Sequence, residues 1–136
     1  MYELFEHTAD LGLRVQATTL EELLAEAARG LLSMLVANPQ DVRPTQTKMI
    51  SIDETEPSYL LFDWLSELLY AFEREKLLLS EFELKLRDHQ LTATCRGEPM
   101  DTSRHQMEHE VKAITYHALR VEQTPAGWEA EVIVDI

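Results

Sequence analysis

The chain has 136 residues, 45% hydrophobic and 27% charged, with 12 Lys and Arg against 25 Asp and Glu for a formal net charge of −13. That length suits a single globular domain spanning residues 1–136, and the regularly spaced apolar positions argue against global disorder. The acidity is spread along the whole sequence, so a phosphate backbone would meet repulsion instead of releasing counterions, and direct nucleic-acid binding is disfavoured.

No apolar run reaches the roughly 18 residues needed to cross a bilayer, and Glu3, Glu6 and Asp10 make the start unlike a basic secretory leader. The expectation is a soluble, cytoplasmic protein with no membrane contact. The single Cys95 cannot form an internal disulfide, which fits a reducing compartment, and its alternating apolar setting points to packing over catalysis. Gly12, Gly30, Gly97 and Gly127 are isolated, so neither a Walker-type phosphate loop nor a dinucleotide fingerprint can be assembled.

Tyr2–His7 opens the chain, and after a break near Asp10 the residues Leu11, Leu13, Val15 and Ala17 alternate with Gly12, Arg14 and Gln16, the period of a half-buried strand. Gly12 marks a bulge or a close approach. Thr18 and Thr19 precede Glu21 and Glu22 at capping-box spacing. Leu20, Leu23, Leu24, Ala27, Leu31, Met34 and Leu35 then share one helical face, predicting a helix through about Val36. Asn38-Pro39 closes it, and the polar Gln40–Thr47 connection leads to a short strand with Ile50 and Ile52 on one side.

Pro57 is suited to a helix N-terminus behind Asp53, Glu54 and Glu56, whose charge favours the positive end of the helix dipole. Leu60, Leu61, Trp64, Leu65, Leu68, Leu69 and Phe72 give this second helix a broad apolar face, so it should be central to the core. Phe82/Leu84/Leu86 and Leu91/Ala93/Cys95 read as a hairpin across Arg87-Asp88-His89-Gln90. Gly97–His109 reads as a polar loop. Val111–Val121 and Trp128–Ile136 read as a last antiparallel hairpin through Thr124-Pro125-Ala126-Gly127. The order predicts an α+β domain, a mostly antiparallel sheet with two helices, and no repeat or linker divides it.

Few residues offer self-contained chemistry, since no serine sits in a G-x-S-x-G setting. His105 and His109 are four apart with Glu108 and Glu110 nearby, but Gln106 stands where the zinc-protease motif requires its glutamate, and the stretch reads as solvated loop. Asp10 and the penultimate Asp135 lie at opposite ends of the sequence. If the first and last strands are neighbours, these two and the terminal carboxylate of Ile136 converge as three oxygen donors for a hard divalent cation. The alternative is two ordinary surface aspartates.

His7-Thr8-Ala9-Asp10-Leu11-Gly12, Glu110-Val111-Lys112-Ala113-Ile114-Thr115-Tyr116-His117 and Val134-Asp135-Ile136 together resemble the archease family. The likeness also takes in Leu20–Leu35, the Leu60–Leu69 helix with its Asp63-Trp64-Leu65 core, and Gly97-Glu98 followed by Asp101 and His105, with no departure at the motif positions. It implies a small α+β domain related to a strand-helix-strand-strand module. The implied role is that of a non-catalytic protein cofactor of an RtcB-type RNA ligase in tRNA splicing and RNA repair. Such a cofactor promotes guanylylation of the ligase's histidine and its turnover, and broadens its nucleotide use beyond GTP. The implied metal site carries over onto Asp10, Asp135 and Ile136, with calcium, or else magnesium or manganese, as the ion suited to oxygen ligands. His7, Glu98, Asp101, His105, Lys112, Tyr116 and His117 fall in the resembling motifs as further functional candidates. His7 and His117 are equally readable as packed strand residues, and Tyr116 as a buried ring with only its hydroxyl at a polar partner. The alternative function is a general chaperone or modulator of nucleic-acid-processing proteins. An autonomous metal-dependent hydrolase lacks a clustered nucleophile and base.

Overall fold

The opening alternation folds back on itself. Tyr2–His7 (β1) and Asp10–Ala17 (β2) pair antiparallel, from Tyr2 opposite Val15 to His7 opposite Asp10, so the break near Asp10 separates two paired strands. The computed structural model describes residues 1–7 and 10–136, and of His7 the backbone alone. Gly12 serves close approach: it pairs with Phe5 without a bulge, and a Cβ on it would sit 2.2 Å from Phe5 Cζ. Only a residue without a side chain lets the ring lie across the strand there.

Leu20–Leu35 (α1) starts at Thr19, whose Oγ1 accepts from the Glu22 N–H at 3.1 Å, one half of the expected capping box. It ends where Val36 turns extended. Gln46–Asp53 (β3) leads to Pro57–Glu75 (α2), with Pro57 in the first turn and the Glu56 carboxylate accepting from the Tyr59 N–H at 3.1 Å. Lys76 closes α2 in the left-handed region at φ 54°. The expected apolar faces are the buried ones, with Leu20 and Phe72 only partly covered. Trp64 is 0% exposed; its indole N–H donates to the Leu24 carbonyl at 2.8 Å, and its ring stands edge-on to Phe82 at 6.0 Å.

Leu77–Arg87 (β4) and Gln90–Pro99 (β5) form the expected hairpin through Asp88-His89, with Asp88 at φ 55°. β4 begins earlier than its alternation indicated, because Leu77, Leu78 and Leu79 are all buried and such a run carries no period of two. With β3 these strands make a three-stranded sheet in the order β3-β5-β4. Cys95 lies in its buried face, where burial pushes the thiol up to about 12, in keeping with packing.

The last part of the chain corrects one expectation. Val111–Val121 is not a continuous strand: Ala113–Ile114 (β6) and Arg120–Thr124 (β7) are separate, and both pair antiparallel with Gly127–Asp135 (β8). Ile114 pairs with Val134 and Arg120 with Glu131, so residues 115–119 bulge out opposite a much shorter stretch of β8, with Thr115 still anchored through its N–H to the Ile133 carbonyl at 3.1 Å. Thr115 Oγ1 accepts from the His117 N–H at 3.3 Å, Ala118 sits at φ 53°, and the Leu119 N–H reaches the Tyr116 carbonyl at 3.2 Å. These local bonds replace ladder bonds, which a sequence pattern does not reveal. The first sheet runs β1-β2-β8-β6 with β7 also on β8. Each helix touches strands of both sheets, which places the leucine faces in a shared core. Among the described residues no helix is long and apolar enough to cross a membrane.

Candidate functional site

The two ends of the sequence meet because β2 and β8 are neighbours. Their antiparallel register sets Leu11 opposite Val134 and Leu13 opposite Val132, all four buried. One step outward, Asp10 and Asp135 begin and end these strands, each half-buried. Side chains alternate along a strand, so both aspartates belong to the face opposite Leu11 and Val134. The terminal Ile136 follows directly. Among the described residues no three His, Cys, Asp or Glu side chains gather as a metal set. The donors brought together here are the two aspartate carboxylates, an all-oxygen pair whose chemistry fits a hard cation better than zinc.

His7 lies opposite Asp10 in the β1–β2 register, and its side chain falls outside the described residues, as do Thr8 and Ala9 of the same motif. Lys112 donates its backbone N–H to the Asp135 carbonyl at 2.8 Å and leaves its side chain exposed beside the aspartate end. His117 sits exposed in the 115–119 excursion, not on a strand. Tyr116 departs furthest from expectation: it is 59% exposed, not buried, and its ring stacks on Phe62 with centroids 3.9 Å apart and planes 10° apart.

Glu98, Asp101 and His105 come together elsewhere, and the loop expected to be solvated holds two buried polar groups. Glu98 is 6% and His105 2% exposed. The Glu98 carboxylate accepts from the Arg43 N–H at 2.7 Å, from the Arg104 guanidinium and from His105 Nε2 at 3.0 Å. His105 Nδ1 accepts from the Asp101 N–H at 2.9 Å, which assigns the ring proton to Nε2 and makes that nitrogen the donor to Glu98. Burial alone would raise the Glu98 carboxyl; the three donors more than offset this and hold it below its ordinary value. Asp101 is likewise held low, chiefly by the Ser103 hydroxyl and N–H.

The segment carrying His105 and His109 is not helical because its backbone serves α1. The N–H groups of Glu108 and His109 donate to the Leu35 and Met34 carbonyls at 2.9 Å each, satisfying acceptors that a helix end leaves open. Glu98, Arg104 and His105 therefore tie the loop, the 38–45 connection and the end of β5 into one unit.

Arg43 and Arg104, which complete that unit, carry no spacing that sequence reasoning could use. Tyr59 stands one turn before Asp63 on the polar side of α2, an i, i+4 pair that helical periodicity exposes.

The Archease protein family profile matches residues 2–136. The protein archease of Methanopyrus kandleri is 40% identical over 139 residues, covering 99% of each chain. That of Thermococcus gammatolerans is 34% identical over 140 residues, covering 99% of this chain and 98% of its own. The solution structure of protein 1598 from Methanobacterium thermoautotrophicum superposes with a TM-score of 0.87 at 31% identity, over 99% of this chain and 98% of that one. A crystal structure from Thermotoga maritima, described as an archease and possible chaperone, gives a TM-score of 0.70 at 24% identity, over 100% and 98%. With the profile running through both aspartate-bearing ends and the fold shared over nearly the whole length, the chain belongs to the archease family.

Proposed function

We propose that this protein is a non-catalytic activator of an RtcB-type RNA ligase in tRNA splicing and RNA repair. It acts in the cytoplasm, promotes guanylylation of the ligase and multiple turnover, and broadens nucleotide use beyond GTP. Family membership carries the reading. The β2–β8 register supports a common role for Asp10 and Asp135, which are remote in sequence and neighbours at one end of the sheet. With Ile136 they would hold a divalent cation, calcium or else magnesium or manganese, which when bound supplies positive charge for oxygen ligands at the contact with the ligase. A surface at −13 favours the basic faces that an RNA-binding enzyme must carry and leaves the RNA to that enzyme.

The test is ligase guanylylation with GTP, comparing a sub-stoichiometric amount of this protein with none. Faster guanylylation and repeated ligation cycles are expected. No stimulation of the ligase from the same organism would overturn the proposal. A second reading, a general chaperone of nucleic-acid-processing proteins, draws on the exposed Met49, Tyr59, Tyr70 and Tyr116. It expects protection of unrelated aggregating proteins in the absence of ligase.

A further inference from the structure

Where residues 115–119 bulge out, they bring Tyr116 against the polar side of α2. One face of its ring is covered by Phe62, and Tyr59 stands edge-on to it with centroids 6.2 Å apart and planes at 85°. A cleft of about 690 Å³ opens beside these rings, lined by Tyr59, Tyr116, Leu119 and the carboxylate residues Glu54, Glu56 and Asp63. Among the described residues no Lys, Arg or His lines it. Arg120, on the strand that follows Leu119, binds Glu122 and Glu129, Arg14 binds Glu3 and Glu131, Arg104 binds Glu98, and Arg74 lies over Tyr70. Burial, together with Glu54 and Glu67, pushes the Asp63 carboxyl above its ordinary range, so folding by itself does not favour a charge there.

We propose that this cleft receives an arginine side chain of the partner protein, its guanidinium packed against the exposed ring of Tyr116 and its N–H groups donating to Asp63. Two features select that chemistry. An aromatic face attracts a cation through its quadrupole, and a flat, weakly hydrated guanidinium can stack while it also forks onto a carboxylate. A lysine ammonium brings the charge without the plane. The cleft adjoins the aspartate end, since the strand entering the excursion pairs Ala113 with Asp135, and one partner surface can therefore cover both. Naming that partner as the ligase rests on the function proposed above; the chemistry of the cleft does not.

Two measurements separate the ideas. In the first, Nα-acetyl-arginine amide is titrated into the ¹⁵N-labelled protein, with the citrulline analogue as its uncharged isostere and the lysine analogue as the cation without a plane. Saturable shifts at Tyr59, Asp63 and Tyr116 are expected with arginine, about tenfold weaker with citrulline and weaker with lysine. Equal responses to arginine and citrulline, or shifts spread evenly over the acidic surface, would overturn the site. The second measures ligase binding by Asp63→Asn, Tyr116→Ala and Tyr116→Phe. The first two are expected to lose about tenfold in affinity, Tyr116→Phe to keep it, and Asp63→Asn to unfold no more easily than the parent. Parent-like affinity in both Asp63→Asn and Tyr116→Ala would overturn arginine docking by the ligase. A parent that binds arginine in this cleft but not the ligase would retain the cleft and overturn the choice of partner.

Discussion

Replacing Glu98 by Gln tests whether the buried loop network is structural, because the substitution keeps the shape and removes only the charge. All three partners are donors: the Arg43 N–H, the Arg104 guanidinium and His105 Nε2. A glutamine turns an N–H₂ group toward at least one of them. His105 cannot adapt by moving its proton, since Nδ1 is already the acceptor for the Asp101 N–H. A charge-assisted hydrogen bond contributes about 1.5–3 kcal/mol, and breaking a buried ion pair from one side costs about 3–5 kcal/mol. Arg104 keeps 28% of its side chain exposed and can recover hydration, which lowers the expected loss to about 2–4 kcal/mol. Urea unfolding at pH 7 measures it. The pH dependence has a definite sign. The folded-state pKa of Glu98 is depressed, so its contribution is complete above the unfolded carboxyl value and is lost as pH falls through the folded one. The gap between parent and Glu98→Gln should be full at pH 7 and narrow below about pH 4. A loss under about 0.5 kcal/mol at pH 7, or a gap that does not change with pH, would refute the reasoning.

Trp64→Ala removes the fully buried ring and the bond to the Leu24 carbonyl, and should cost about 3–5 kcal/mol in denaturant unfolding; a loss below about 1 kcal/mol would contradict the packing seen between α1, α2 and β4. Asp10→Ala, Asp135→Ala, or residues added after Ile136 should each weaken calcium binding by about tenfold or more in calorimetric titration and reduce ligase stimulation, with the unfolding midpoint unchanged. Unaltered titrations in all three would remove the metal proposal. Association with the ligase should weaken as salt is raised, because opposite charges separated by solvent are screened within about 10 Å at 0.1 M ionic strength. Binding indifferent to salt would show that the acidic surface does not steer it.

Local pattern determined most of the secondary structure. The 3.6-residue spacing of leucines in α1 and α2, the Thr19–Glu22 cap, Pro57 at a helix start and the two-residue turn at Asp88-His89 are signals written within a few neighbouring positions, and the structure keeps each of them. The aspartates could be singled out from the motifs around them. Their meeting depended on the pairing of β2 with β8, a contact across nearly the whole sequence that no local period encodes. The same holds for Glu98 and His105, which read as polar loop residues until Arg43, Arg104 and the end of α1 enclosed them. Tyr116 shows the limit in the other direction. Its alternating neighbours spell a strand, but the ring stacks on Phe62 outside the sheet, because hydrogen bonds within residues 115–119 and a surface supplied by α2 outweigh the ladder. Periodicity reports which side of an element is apolar; which elements become neighbours, and which polar groups find partners when they do, is decided only when the whole chain packs.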